Sequence, residues 1–383
     1  VFSEGDLQAR WGEEALRWSL ECNARHLASR SHQVYRALQP PASIDACVSL
    51  LRCLYACLAH GRPAALWFAV EVVQSMRVMA EGIEPCKMVL YPQMLWAAAA
   101  LLESPYVPIY HEALGLLSCL LDRLDLGDPT TESVLLSTAP AAADLVGGDR
   151  LQRLLLKGLL HEGSELAASE VLLKVCAQGS ERLFGGRTRR LAMNIVALVP
   201  IMCACAFGRA GGGSARDDSP GRRHPHPHPH PHPHPHLLLS VASAHLATAA
   251  AMGLQEECEA QGLPELGQVL MRLTGGGVEG QLASEEEFLA AWQEPFCAGA
   301  LVQEHGPLVL GMLLEGALRR SPWQVLTLRM LYAVITSPRT DLGPLLAGGG
   351  RHVTALAALV ESPLAEHVLP VLDVLLARGS DPP

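Results

Sequence analysis

Between residues 105 and 124 the apolar side chains fall at one spacing. Tyr106, Ile109, Tyr110, Ala113, Leu114, Leu117, Leu120, Leu121 and Leu124 recur at i, i+3, i+4, i+7 and i+8. On a helix that spacing makes one continuous stripe, whereas a strand would scatter the same residues over both faces. The stripe therefore needs a helix, and the helix needs other helices to cover it. Ser104-Pro105 opens the segment, and the same pair recurs at Ser321-Pro322 and Ser362-Pro363. Serine can cap a helix and proline suits its first position. Glu103-Ser104-Pro105 and Glu361-Ser362-Pro363 are the same text, each following an apolar residue and leading into an apolar segment. Ser43 reads as a cap for the helix carrying Cys47, Leu50, Leu51 and Leu54. Ser284 with Glu287 reads as a capping box ahead of Phe288, Leu289 and Trp292.

Composition agrees with helices packed on helices. Hydrophobic residues make up 49% of the 383, aromatics 5% and charged residues 18%. The apolar share is mostly Leu, Ala and Val, and Leu and Ala favour helices. About fifteen helices can be counted, or one pair per ~40 residues, which is the period of HEAT and armadillo arrays. The fold class expected is all-α, an α-solenoid of HEAT/armadillo-like helical repeats interrupted by a disordered spacer.

That spacer is 208–236. A Gly-rich, charged run gives way to strict His-Pro alternation from His224 to His236. Proline at every second position forbids a helix. The His-Pro part should be an extended polyproline-like rod of at most about 40 Å. Its histidines would point in three directions and so are not expected to converge on a metal. The expected division is a helical block at 1–207, the linker at 208–236 and a second helical block at 237–383.

Several function classes find no support. The net charge of −10 disfavours nucleic acid. The eleven cysteines form no C-x-x-C pair, which argues against a zinc site of the usual kind. They read as small buried hydrophobes with reduced thiols, in keeping with the cytoplasm. Gly-rich runs at 275–277 and 348–350 lack the Lys-Ser/Thr of a phosphate loop. His111-Glu112 has no second histidine at the metalloprotease spacing, since position 115 is Gly. No catalytic residue, cofactor or metal is expected. Segments 191–208 and 237–254 lack Asp, Glu, Lys and Arg and sit at the lower length limit for a membrane span. They leave membrane association open as the alternative to helices sandwiched between repeats. The chain opens on Val without a signal segment, and so reads as part of something longer.

The candidate site is the N-terminal stretch. Trp11, Arg17, Trp18, Arg25, His26, Arg30 and Arg36 crowd together there, alongside Glu13, Glu14 and Tyr35. Large aromatics beside arginines are the types favoured in interaction hot spots. The plain alternative is a helix pair whose arginines are neutralised by nearby glutamates.

The same stretch carries a resemblance. Trp11-Gly12-Glu13-Glu14-Ala15-Leu16-Arg17-Trp18 and the run Arg25 to Leu38 resemble the Furry family of cell-morphogenesis proteins. Tyr91-Pro92-Gln93-Met94-Leu95-Trp96, Ala100 to Ser104 with the helix to Leu124, and Leu151 to Leu159 follow in the order of that family's C-terminal region. The resemblance covers about residues 10–200, and beyond the spacer only the helical texture matches. It implies a large, non-catalytic scaffold of HEAT/armadillo-like repeats for polarised growth and cell shape. It also implies NDR-type kinases and MOB coactivators as protein partners, and a cytoplasmic or cortical location with only indirect contact with the membrane. The spacer departs from the family pattern.

Overall fold

The computed structural model describes residues 4–140, 150–159, 163–207, 236–275, 280–298, 300–319, 324–343 and 351–380. Among the described residues the fold is all-α, with no strand. It divides into two compact units, Val1–Arg190 and Leu191–Pro383.

The first unit holds α1 (Glu4–Glu21), α2 (Arg25–Leu38), α3 (Ile44–His60), α4 (Pro63–Gly82), a 3₁₀ turn (Pro85–Leu90), α5 (Pro92–Leu101) and α6 (Val107–Arg123). After these come α7 (Pro129–Thr138), α8 (Arg150–Gly158), α9 (Glu165–Ala177) and the short α10 (Glu181–Phe184). The division between these units falls inside α11 (Arg187–Phe207). The second unit continues with α12 (His236–Ala260), α13 (Pro264–Leu273), α14 (Glu285–Ala298), α15 (Ala300–Leu318), α16 (Gln324–Thr336), α17 (Arg351–Ala357) and α18 (Ala365–Ser380). Residues 208–235 of the expected spacer lie outside the described residues, and His236 already begins α12.

The helix starts are written locally. Pro63, Pro92, Pro129 and Pro264 each stand in the first turn of a helix, where a missing N–H costs nothing. Ser43 accepts from Ala46 N at 3.1 Å and Asp128 from Thr131 N at 2.9 Å. Ser284 accepts from Glu287 N at 3.1 Å, while the Glu287 carboxylate reaches back to Ala283 N at 2.8 Å, a capping box displaced by one residue. The Ser-Pro pairs act differently from expectation. Ser104 Oγ accepts from Tyr106 N at 3.1 Å, and Ser362 Oγ from Leu364 N at 3.2 Å. Both are tight serine turns, and each helix begins three residues after its serine, at Val107 and Ala365. In α6 the first-turn proline is thus Pro108, not Pro105. Ser321-Pro322 lies outside the described residues.

Helix contacts run in rows. In the first unit α2 packs on α4, α4 on α6 and α6 on α9, while α1 packs on α3, α3 on α5 and α5 on α7. The rows are joined by α1/α2, α3/α4, α5/α6 and α8/α9. In the second unit α14, α16 and α18 form one row and α15 packs on α17, with α14/α15, α15/α16 and α17/α18 across. A helix with neighbours on several sides must bury more than a stripe. In α6 Leu116 is therefore fully buried beside Ile109, Ala113, Leu114 and Leu117. In α14 Trp292 is fully buried with its ring 4.3 Å from Phe296 and 6.4 Å from Phe288, one helical turn away on either side. Helix α11 is long and apolar enough to cross a membrane, yet 72% of that apolar window is buried within the protein.

Candidate interaction site

The N-terminal residues fall into three groups. The first is on α1. Trp11, Glu14 and Trp18 stand at i, i+3 and i+7 on one face, and Trp11 and Trp18 are 66% and 48% exposed. Trp18 donates its indole N–H to Glu14 Oε1 at 2.7 Å. Arg17 donates to Glu14 Oε2 at 3.0 Å and to Glu21 Oε2 at 3.0 Å. The guanidinium, and then the indole, hold the Glu14 carboxyl below the usual carboxylate range. The second group lies on α2. His26 and Arg30 are exposed, and Arg30 bonds Gln33 at 2.7 Å. Arg25, the first residue of α2, is exposed and borders a cavity near α3. Leu27 and Val34, at 45% and 46% exposed, add apolar surface to the same helix.

Arg36 forms the third group and faces away from any free surface. Its Nη2 pairs with Glu71 Oε2 on α4 at 2.6 Å, and its Nη1 donates to the Glu71 carbonyl at 3.0 Å and to Ser75 Oγ at 3.3 Å. His32, fully buried beside it, completes the network. Ser75 Oγ gives its one hydrogen to the Glu71 carbonyl at 3.1 Å. It therefore accepts from His32 Nδ1 at 3.0 Å, which fixes the proton on Nδ1. His32 Nε2 is buried and has no hydrogen-bond partner. Burial, and then the nearby Arg36 charge, push the His32 pKa down to about 4. This is a neutral histidine sealed in the α2–α4 seam, its ring edge-on to Phe68 at 5.2 Å.

Both units carry a groove along a row of helices. In the first, a groove of about 590 Å³ runs over α4, α6 and α9 past Arg77, Glu81, Asp122 and Glu170. Its charges are tied to one another, since Lys174 on α9 bonds Asp122 at 2.6 Å, Ser118 at 2.7 Å and Glu170 at 2.8 Å. Glu112, half of the His-Glu pair, takes Gln74 at 2.8 Å and Arg77 at 3.5 Å, so it ties α6 to α4. In the second unit a groove of about 410 Å³ crosses α14, α16 and α18 between Leu289, Tyr332 and Pro370. Arg329 spans it to Glu285 at 2.8 Å and Glu286 at 2.9 Å. Residues 285–287 occupy the first turn of α14, where negative charge meets the positive end of the helix dipole. Sequence reasoning missed both grooves, because the residues that line them come from helices some forty positions apart. Among the described residues no group of three or more His, Cys, Asp or Glu is placed to hold a metal ion. Of the glycine runs, Gly275 is a turn residue at φ 78°; residues 276–277 and 348–350 lie outside the described residues.

Comparison with known proteins agrees with the resemblance. Residues 92–380 match the family described as Cell morphogenesis C-terminal, and residues 1–67 match Cell morphogenesis central region. The C-terminal match runs through the second unit, well beyond where the sequence alone showed the likeness. The chain is similar to Cell morphogenesis protein PAG1 of Saccharomyces cerevisiae, 26% identical over 201 residues, which is 52% of this chain and 8% of that protein. It is also similar to Cell polarity protein mor2 of Schizosaccharomyces pombe, 25% identical over 196 residues, or 50% of this chain and 9% of that protein. The aligned stretch is thus less than a tenth of the length of either relative. No solved structure matches. With most of its length matched, the chain belongs to the MOR2-PAG1 cell-morphogenesis family, the Furry family to which its opening motifs point.

Proposed function

We propose that this chain is a stretch of an α-solenoid scaffold for cell morphogenesis and polarised growth, and that it acts by binding proteins, not by catalysis. The observation that carries the reading is the recurring sequence distance between residues that tie neighbouring helices of a row. Arg36 to Glu71 spans 35 residues, Gln74 to Glu112 38, Arg123 to the Ile83 carbonyl 40, Gln293 to the Ala333 carbonyl 40, and Arg378 to the Ile335 carbonyl 43. These distances lie around the lower end of the period of HEAT/armadillo arrays, about 40–47 residues, and the α6–α9 tie of Asp122 to Lys174 is longer, at 52. Neighbour-to-neighbour stacking leaves a long surface for partners. The names of the two relatives support the biological setting.

The binding surface is the exposed face of α1 and α2, centred on Trp11 and Trp18 with Arg25, His26 and Arg30. Arg36 supports it from the seam beneath. The partners are an NDR-type kinase and its MOB coactivator, met in the cytoplasm or at the cell cortex. Purified chain is titrated with purified kinase–coactivator complex. Binding that weakens at least tenfold in Trp11→Ala/Trp18→Ala and in Arg25→Glu/Arg30→Glu, with far-UV circular dichroism unchanged, supports the reading. Absence of binding to the wild-type chain overturns the partner assignment. Loss of helicity in both variants returns these residues to a structural role.

A second reading, membrane association through 191–208 and 237–254, draws on the length and hydropathy of α11. Co-flotation of detergent-free chain with vesicles supports it, and failure to float removes it.

A further inference from the structure

The two grooves differ in how their charges close. In the first unit every carboxylate has a lysine or arginine beside it. Arg77 lies 3.7 Å from Glu81 and 3.5 Å from Glu112, and Lys174 lies 2.6 Å from Asp122 and 2.8 Å from Glu170. In the second unit a single nitrogen of Arg329, Nη1, serves both Glu285 at 2.8 Å and Glu286 at 2.9 Å. On the far side of that groove Glu366 meets the ring of its neighbour His367 at 3.3 Å, and no lysine or arginine among the described residues. Glu286 and Glu366 are both exposed. The rim thus sets three carboxylates against one guanidinium, more negative charge than the roughly +0.5 at each helix start offsets.

The hydrogen bonds also fix the shape of this groove. Arg329 ties α16 to the first turn of α14. Two turns along, Gln293 bonds the Ala333 carbonyl at 2.7 Å and Thr336 Oγ1 at 3.2 Å, so α14 and α16 run side by side in the same direction. Arg378, near the end of α18, bonds the Ile335 and Ser337 carbonyls at the end of α16, so α18 runs the same way. Glu286 and Glu366 therefore stand near matching ends of the two outer helices. Two helix spacings separate them, or roughly 16–20 Å between axes. Between them α16 presents the exposed ring of Tyr332, with Leu289 on one side and Pro370 on the other.

We propose that this groove docks an extended segment of a partner protein with the pattern basic–x–apolar–x–basic. In an extended chain alternate side chains share a face, so the three chosen positions all turn toward the groove. Four steps of ~3.3 Å cover about 13 Å, and the two long basic side chains reach across the rest of the span. One basic group meets Glu286 beside Glu285, and the other meets Glu366. The apolar side chain lies on Tyr332 between Leu289 and Pro370. The acidic rim selects the sign of the segment, and the apolar floor selects its middle residue. The site is on other helices than the α1–α2 surface and its test does not use the kinase–coactivator complex, so the two readings stand or fall separately.

The test uses the 383-residue chain and two fluorescein-labelled peptides, read by anisotropy at low salt. One is Gly-Arg-Ser-Leu-Ser-Arg-Gly, and the other is its charge-reversed twin Gly-Glu-Ser-Leu-Ser-Glu-Gly. The arginine peptide is expected to bind at least about tenfold tighter than its twin, and to weaken as salt is added. Glu286→Arg/Glu366→Arg should reverse the preference, and Tyr332→Ala should weaken the arginine peptide at least about threefold. Equal binding of the two peptides to the wild-type chain, or binding of neither, overturns the proposal whether or not a variant folds. A preference that survives Glu286→Arg/Glu366→Arg with helicity retained overturns it as well. Self-association of the chain that Tyr332→Ala abolishes would seat a second copy in the groove and overturn it too. So would peptide binding that appears only once 209–235 is replaced by a Gly-Ser linker, because the chain's own Arg222-Arg223 run would then be the occupant.

Discussion

Arg36 on α2 holds Glu71 on α4 twice, by its carboxylate at 2.6 Å and by its backbone carbonyl at 3.0 Å. Both side chains are largely covered, at 17% and 23% exposed. Arg36→Met keeps the aliphatic stem but leaves the Glu71 carboxylate covered and unpaired. It should cost about 1–3 kcal/mol in urea unfolding. Glu71→Gln on that background should recover part of the loss, because it removes the stranded charge.

His32 makes folding sensitive to acid. In the unfolded chain its imidazole protonates near pH 6.5. In the fold, burial and Arg36 keep it neutral down to about pH 4, since a proton on Nε2 would find no acceptor. Between those limits the unfolded chain binds the extra proton. This contribution to stability is full above about pH 6.5 and falls with pH by at most about 1.4 kcal/mol per unit, towards pH 4. Urea midpoints measured from pH 7.5 to 4.5 should show the fall, and His32→Gln should flatten it.

Trp292 anchors the second unit. Replacing it with Ala removes a fully buried ring from between Phe288 and Phe296 and should cost about 3–5 kcal/mol. Trp292→Phe should cost much less, because the indole N–H it deletes is buried without a hydrogen-bond partner. Thermal unfolding of the two variants checks the order.

Gly12 sits where the Pro40 ring lies against α1. A Cβ there would overlap the Cβ and Cγ of a proline that cannot rotate aside. Gly12→Ala should therefore destabilise by about 1–3 kcal/mol despite the better helix propensity of alanine. Differential scanning calorimetry reads the change.

What could be read from the sequence was the local part. Ser43 and Ser284 cap the helices expected of them, because a cap and its acceptor N–H lie within four residues. The stripe from Ile109 to Leu121 is the core face of α6. Ser104 and Ser362 stand just ahead of helices but make serine turns, since a serine turn and a helix cap share their spelling and differ only in backbone angles. The site was harder to read. Trp11 and Trp18 are exposed, while Arg36, so similar in its sequence setting, is committed to Glu71 35 residues away. Partners on separate helices leave no trace in a window of one helix.

The rows have a mechanical consequence. In the first unit α4 and α9 each lie against α6, and ties such as Gln74–Glu112 and Asp122–Lys174 cross only one junction at a time. A pull along the row is therefore borne by junctions in series, each carrying the same load. Such a body stretches by small slips shared among its seams and gives way first at the weakest one. A protein laid across several seams would splint them, turning a compliant strut into a stiff one.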